Sequence, residues 1–135
     1  MELCDLSALE LTRLLRQRKT SAVEILQSTL QRIGSVDGRC GEIDAAPLTE
    51  EDKQKVHAFI TLTDDRALEH ATAIDRQITN GDDPGPLAGV PFSVKDIFCV
   101  SGTPSTAASR ILANFTAPYT ATPVARMEAA GAVMV

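Results

Sequence analysis

Cysteine is scarce in this chain of 135 residues and follows no regular pattern. Cys4, Cys40 and Cys99 are unevenly spaced, no Cys-x-x-Cys pair occurs, and no histidine stands near them at ligand spacing. A disulfide framework or a zinc site needs paired cysteines or a regular set of cysteine and histidine ligands. The sequence therefore indicates neither, and we expect reduced thiols at all three positions.

Long apolar runs and an excess of basic charge are also missing. No window approaches the run of about 20 apolar residues that spans a bilayer, and acidic Glu2 and Asp5 stand where a signal peptide would be basic. The net charge of -5 argues against a basic nucleic-acid footprint. We therefore expect a cytoplasmic globular chain without membrane contact, long enough to form one domain.

Two capping boxes mark helix starts near the N-terminus. Ser7 precedes Glu10 by three residues and Ser21 precedes Glu24 by three, so each serine and glutamate can satisfy the other's backbone donor. Apolar residues then recur on one face of each helix: Leu11, Leu14 and Leu15 in the first, and Val23, Leu26, Leu30 and Ile33 in the second. This pattern predicts a helical hairpin over residues 1–36. The basic link at 16–20 is interpreted as a solvated helix end, with a nucleic-acid role as the alternative.

Residues 37–56 are predicted to be a loop or insertion. Gly34 is expected to end the second helix, and the stretch from Gly38 to Pro47 has a loop composition. Thr49 is placed to cap a short acidic helical turn that runs through Val56. The sequence assigns no role to this stretch.

Residues 57–135 are predicted to begin an α/β core. The expected elements are a strand at His57–Leu62, a helix from Thr63 to Asn80–Gly81, a strand through Val90, Phe92 and Val94, a helix from Thr122-Pro123 to Gly131, and a strand at Ala132–Val135. Strand, helix and strand in this order predict a parallel pair. His57 and His70 fall on different elements and are interpreted as ordinary histidines. The apolar final strand suggests the front part of a larger domain, in which further layers cover it.

Lys95 stands at the end of the predicted lysine-bearing strand. One interpretation is a solvated ammonium that caps the strand end or pairs with Asp96. The other is a desolvated lysine that carries protons, which requires lowering its pKa by roughly 3 units, or about 4 kcal/mol. The loop from Ser101 to Thr106 could line a site or simply connect two elements. Spacing alone leaves these alternatives open.

Three blocks of this sequence resemble the N-terminal part of the amidase signature family. They are Leu87–Asp96 (LAGVPFSVKD), Gly102–Thr106 (GTPST) and Ala129–Val135 (AAGAVMV). The resemblance implies the N-terminal part of an amidase-type α/β domain, with two helices followed by strands and helices in βαβ order and an incomplete sheet. It also implies that Lys95 is the catalytic lysine, the charge relay or general base of a Ser, cis-Ser, Lys triad.

The resemblance places both triad serines downstream of Val135. Ser93, Ser101, Ser105 and Ser109 lack a Gly-Ser-Ser-Gly context, so none is assigned as the nucleophile. A nucleophile also needs a base within reach and donors for the oxyanion. These 135 residues alone are therefore expected to be inactive, with the pocket that selects the substrate lying elsewhere.

Within this family, two elements resemble the A subunits of glutamyl-tRNA(Gln) amidotransferases: Ala108–Phe115 (ASRILANF) and Pro118–Thr122 (PYTAT). This resemblance implies glutamine hydrolysis to ammonia, which a heterotrimer with subunits B and C uses to convert Glu-tRNA(Gln) to Gln-tRNA(Gln). ATP and Mg would serve the whole complex, with no cofactor or metal bound by this segment. The alternatives are a stand-alone amidase of the same family and a non-catalytic module that keeps the family's N-terminal half.

Overall fold

The computed structural model describes residues 2–40 and 47–135. Over these residues the chain forms a mixed helical and strand fold around a small parallel sheet. The helices are α1 (Ala8–Arg16), α2 (Ala22–Val36), α3 (Asp64–Asn80) and α4 (Thr122–Ala129), the strands are β1 (Pro91–Phe92) and β2 (Val133–Met134), and 3-10 turns span Leu3–Asp5, Asp52–Gln54 and Arg110–Leu112.

The two predicted capping boxes are both present. The Ser7 hydroxyl accepts from the Glu10 amide at 3.3 Å, and the Glu10 carboxylate accepts from the Ser7 amide at 2.9 Å. Ser21 and Glu24 repeat this exchange at 3.1 and 2.8 Å. The hairpin of α1 and α2 therefore starts where local sequence predicts, although its assignment as a separate stretch over residues 1–36 stays a prediction.

The main core lies between α1, α2 and α3, and it contains the predicted apolar faces except for Leu14, which is not part of it. Leu11 and Leu15 of α1 are buried, as are Leu26 and Ile33 of α2. Ile25 also belongs to this core, although the predicted α2 face omitted it. The remaining buried members are Ala22, Ala67, Ala71, Ile74, Ala88, Val133 and Val135.

The strands β1 and β2 pair in parallel, with Pro91 opposite Val133 and Phe92 opposite Met134. This confirms the predicted βαβ order and the parallel pair. Both strands are shorter than predicted, because Val90 and Val94 lie outside β1 and Ala132 and Val135 lie outside β2. Both faces of β2 are covered: Val133 and Val135 belong to the helical core, whereas Met134 packs with Val100 and Val124. The residues of this segment therefore bury the final strand on both faces. The sequence pattern had suggested that further layers of a larger domain would cover it.

The predicted strand at His57–Leu62 is wrong. This segment is irregular, and His57 has a φ of 54°. The carboxylate of buried Asp37 accepts from the amides of Ala58 at 2.6 Å and Phe59 at 3.1 Å. Because a side chain from the end of α2 takes up these donors, they are not used in a sheet ladder. No neighbouring segment of sequence signals such a partner.

Several predicted boundaries shift by a few residues. Helix α2 continues through Gly34 to Val36, and Asp37 ends it. Helix α4 includes Thr122, so Ala121 is its N-cap and the predicted threonine cap does not form. Thr63 stands before α3 without a side-chain cap bond, and its hydroxyl instead lies 3.5 Å from the Met134 carbonyl.

The loop and insertion predicted over 37–56 is described only in part. Residues 41–46, which fall in the predicted 38–47 loop, lie outside the described residues. The Thr49 hydroxyl accepts from the Asp52 amide at 3.1 Å, but the helical turn is limited to Asp52–Gln54, and its N-cap, Glu51, makes no side-chain cap bond. The domain stretches 37–56 and 57–135 remain predictions. In the described ranges, no helix combines the length and apolar character needed to cross a bilayer.

Candidate active site

A cleft of about 600 Å³ opens at the carboxyl end of the two parallel strands. Three irregular segments and the end of β2 form its walls. The lining residues are Ala58–Thr61, Thr63, Ser93–Phe98, Val100, Thr103, Pro104, Ala107, Ala108, Met134 and Val135. Ligands of open α/β sheets commonly bind at the carboxyl ends of parallel strands. The cleft is therefore the candidate site.

Lys95 lines this cleft from the turn that follows β1. Its carbonyl accepts from the Phe98 amide at 2.9 Å, so residues 95–98 form a tight turn. Among the described residues, none gives the ammonium a hydrogen bond or an ion pair. The predicted alternative of a pair with Asp96 is therefore not observed.

The environment of Lys95 differs from the desolvated one that a proton carrier requires. The side chain is exposed in this structure, because the described residues wall the cleft without closing over it. Burial that would neutralise the amine must come from groups beyond this set, so the catalytic role of Lys95 stays a proposal.

Asp96 is the most heavily hydrogen-bonded residue of the site. Its carboxylate accepts from the Thr106 amide at 3.0 Å, the Thr106 hydroxyl at 2.5 Å and the Ala108 amide at 3.3 Å. Its backbone carbonyl accepts from the Ser105 hydroxyl at 3.2 Å and the Ala107 amide at 3.1 Å. Partial burial disfavours the charged carboxylate, but these bonds together outweigh it and lower the pKa of Asp96.

The segment held by Asp96 contains an unusual backbone. Ala107 and Ala108 have φ values of 48° and 55°, in the left-handed region. An alanine there costs about 1–2 kcal/mol because its Cβ approaches the backbone. Two such residues in succession, both exposed, persist only where the surroundings over-determine them.

Another part of the cleft wall depends on Asp37. Its carboxylate holds the amides of Ala58 and Phe59, two residues that line the cleft. Asp37 is only 3% exposed, so the hydrogen bonds form away from bulk water. Sequence reasoning missed both Asp37 and Asp96 as site-building residues. Asp96 follows Lys95 directly and could have been examined, whereas nothing near Asp37 signals a partner 21 residues away.

The four serines near Lys95 do not form a cluster around it. Ser93 lines the cleft and is exposed, whereas Ser105 is buried and its hydroxyl donates to the Asp96 carbonyl. Ser101 and Ser109 are not among the residues lining the cleft. The loop predicted at 101–106 does contribute to the cleft, through Thr103 and Pro104.

The other candidate residues lie apart from the cleft lining. The imidazole Nε2 of His57 lies 2.7 Å from the Asp52 carbonyl. A hydrogen bond with the Cys99 side chain, together with the electrostatic effect of that group, raises the pKa of Tyr119. Within residues 2–40 and 47–135, histidine, cysteine, aspartate and glutamate form no group of three or more that could hold a metal ion. Cys4, Cys40 and Cys99 are free thiols.

Curated relatives of this chain are A subunits of an amidotransferase. The glutamyl-tRNA(Gln) amidotransferase A subunit of Geotalea daltonii is 43% identical over 135 residues, which is 100% of this chain and 24% of the relative. The protein of the same name from Desulforudis audaxviator is 41% identical over 128 residues, 95% of this chain and 23% of the relative. The chain thus spans about a quarter of the length of these relatives.

Solved structures of amidase signature enzymes share the fold. A bacterial aryl acylamidase of the amidase signature family superposes with a TM-score of 0.77 at 27% identity, covering 96% of this chain and 24% of that one. A protein described in connection with the origins of an s-triazine catabolic enzyme gives a TM-score of 0.81 at 31% identity, covering 96% and 25%. The small parallel sheet seen here is therefore part of a known architecture.

The family model for amidases matches residues 48–135, which is more than half of the chain and includes most of the cleft wall. This match agrees with the blocks around Lys95 from which the resemblance was drawn. The chain belongs to the amidase signature family.

Proposed function

We propose that residues 1–135 supply the lysine of an amide-hydrolysing site in the A subunit of a glutamyl-tRNA(Gln) amidotransferase. The observation that carries the proposal is Lys95 in the cleft at the carboxyl end of the parallel strands, in a chain about 40% identical to such subunits over nearly its whole length. The A subunit would release ammonia from glutamine for the conversion of Glu-tRNA(Gln) to Gln-tRNA(Gln).

In this proposal Lys95 acts as a base. Its neutral amine would accept a proton by way of a bridging serine while a second serine attacks the amide carbon. An ammonium cannot do this, so the rest of the site would have to desolvate Lys95 and lower its pKa. Lys95 is exposed in this segment and the cleft is open toward solvent, so in this proposal the desolvation comes from groups outside the described residues.

ATP and Mg would act elsewhere in the assembly. The resemblance implies that ATP and Mg serve the whole complex, and we derive no step through them. The net charge of -5 favours most tRNA phosphate contacts lying outside these residues. The likeness to these A subunits favours a heterotrimer with subunits B and C, and a tRNA substrate favours a cytoplasmic location.

The test uses two substitutions at Lys95 in the complete enzyme that includes this segment. Lys95→Ala should lower glutamine hydrolysis by 100-fold or more, in line with the roughly 10²–10⁴-fold that proton transfer contributes. Lys95→Arg should be equally inactive, because a guanidinium keeps the charge but does not give up its proton. Rates are measured as ammonia release under saturating glutamine.

The matched control is Lys53→Ala, which removes an exposed lysine paired with Glu50 on the surface. It should leave turnover within twofold of the parent. Substantial turnover by Lys95→Arg would contradict proton relay, and turnover by Lys95→Ala would contradict any essential role of this residue.

A stand-alone amidase is the second candidate, favoured by the solved aryl acylamidase that shares the fold. The two candidates differ in assembly and in chemistry. Purification with two other subunits and ATP-dependent amidation of Glu-tRNA(Gln) would support the amidotransferase. A protein that purifies alone and cleaves simple amides without ATP would support the amidase.

A further inference from the structure

We propose that Asp96 is a positioning residue, which holds the segment Ser105–Ala108 as a wall of the cleft and thereby orients Lys95 for proton transfer. This inference rests on the proposed role of Lys95. The Asp96 side chain forms no ion pair with Lys95. Its carboxylate accepts hydrogen bonds from Thr106 and Ala108 instead.

The hydrogen bonds of Asp96 lock two chain segments reciprocally. The carboxylate takes donors from Thr106 and Ala108, so it holds the loop. The loop in turn holds Asp96, because the Ser105 hydroxyl and the Ala107 amide donate to its carbonyl. Five donors therefore converge on the residue that directly follows Lys95.

The main chain before Lys95 is held as well. The Val135 amide donates to the Phe92 carbonyl at 3.1 Å, which ties the end of β1 to β2. With β1 fixed on one side and Asp96 on the other, the Cα position of Lys95 has little freedom. Its long side chain is then the movable part, and the cleft wall restricts where it can reach.

The hydrogen bonds of Asp96 stabilise a strained backbone at Ala107 and Ala108. Ala107 and Ala108 line the cleft with left-handed backbones, are exposed, and bury no apolar side chain that could stabilise them. Without compensation, the two residues would relax to an unstrained backbone. Hydrogen bonds to a charged carboxylate are stronger than neutral ones and can offset this strain. Strain held in this way is typical of functional sites.

The experiment is a double-substitution cycle in the complete enzyme, with kcat and KM measured for glutamine. Asp96→Asn should lower kcat at least tenfold and change KM less than threefold, since the lock orients the base and does not bind substrate. Thr106→Val removes, at nearly constant volume, the hydroxyl that donates to Asp96 and accepts from the Ala108 amide at 3.1 Å, and it should lower kcat by a smaller factor. The double variant should be no worse than Asp96→Asn, because both changes break one lock.

Asp75→Asn is the matched control. The Asp75 carboxylate also accepts two backbone amides, those of Ala22 and Val23, but at the start of α2 and away from the cleft. It should lower the unfolding midpoint while kcat stays within twofold. Hydrogen exchange of the Thr106 and Ala108 amides should accelerate in Asp96→Asn and stay unchanged in Asp75→Asn.

The outcomes separate the two proposals. If Lys95→Ala remains active, the proposed function fails. If Lys95→Ala is inactive while Asp96→Asn matches Asp75→Asn in kcat, the proposed function stands and only the positioning role is overturned. Additive effects of Asp96→Asn and Thr106→Val on kcat would also overturn the positioning role. If Asp96→Asn does not fold, Thr106→Val alone is the test, and an unchanged kcat in that variant overturns the positioning role.

Discussion

At the scale of single residues, three aspartates join segments that are distant in sequence. Asp37 accepts the amides of Ala58 and Phe59, Asp75 accepts those at the start of α2, and Asp96 accepts those of its loop. Each carboxylate satisfies two backbone donors at once. Such charge-assisted bonds are about twice as strong as neutral ones. Because the sheet contains only two short strands and supplies few ladder hydrogen bonds, these carboxylates connect segments that the sheet does not.

Asp37→Asn should destabilise the protein by about 1–3 kcal/mol. The amide side chain presents only one acceptor oxygen, so its NH₂ group faces one of the two part-buried backbone donors that the carboxylate had satisfied. The urea midpoint of unfolding measures the loss. Asp82→Asn, at an exposed position, should stay within about 0.5 kcal/mol. Equal midpoints for the two variants would mean that the Asp37 bonds contribute no net stability.

At the scale of elements, the connection from α4 to β2 sets how the final strand enters the sheet. Gly131 has a φ of 89°, and a side chain there would collide with the Pro84 carbonyl and with the backbone of Ala88. The segment before β1 thus packs directly on this glycine. The Gly89 amide also donates to the Gly131 carbonyl at 2.9 Å, which helps to set the register of the two strands.

Gly131→Ala and Gly81→Ala should separate backbone strain from steric collision. Both glycines are left-handed, with φ values of 89° and 86°, but a side chain at Gly81 would meet open space. Gly81→Ala should therefore cost only the conformational penalty, about 1–2 kcal/mol.

Gly131→Ala should cost at least about 2 kcal/mol more than Gly81→Ala, because the fixed backbone around Pro84 cannot move aside without disturbing the sheet. Thermal unfolding of both variants, followed by circular dichroism, gives the comparison. Similar melting temperatures would show that the contact at Gly131 relaxes freely.

At the scale of the whole molecule, local hydrogen bonds to carboxylates make the free energy of unfolding depend on pH. The Ser7 hydroxyl and amide lower the pKa of Glu10, and the Ser21 amide with the Thr20 and Ser21 hydroxyls lowers that of Glu24. The amide and hydroxyl of Thr49 do the same for Asp52. With Asp96, four carboxyl groups are therefore more acidic in the folded chain than their ordinary values of 4.5 for Glu and 3.8 for Asp.

The free energy of unfolding should fall as the pH drops below about 4.5. A carboxyl group with a lowered pKa contributes its stability above its ordinary value and loses it as the pH falls through the lowered value. Urea midpoints at about pH 7 and about pH 3 test this dependence. The variant Glu10→Gln with Glu24→Gln should show a smaller change between the two conditions. A parent midpoint that does not move would contradict the sign assigned to these groups.

Local pattern was sufficient for the helices. The boxes of Ser7 with Glu10 and Ser21 with Glu24 involve residues three apart, and the apolar faces of α1, α2 and α3 repeat at the helical period. Interactions at such short range do not depend on where the rest of the chain lies. The strand prediction for residues 57–62 was wrong because the Ala58 amide donates to a carboxylate 21 residues away. The composition of the segment carries no signal for that partner.

The amino-acid sequence by itself determined the presence of the four helices, the capping boxes of α1 and α2, the parallel order of the two strands, the family and the candidate base. Each of these is written in residues close together or in a contiguous block such as LAGVPFSVKD. Only the tertiary structure decided that Asp37 and Asp96 build the walls of the cleft, that two successive alanines adopt left-handed backbones, and that Lys95 stays exposed. These features arise where separate segments meet, and hydrogen-bond geometry and burial exist only after the chain has folded.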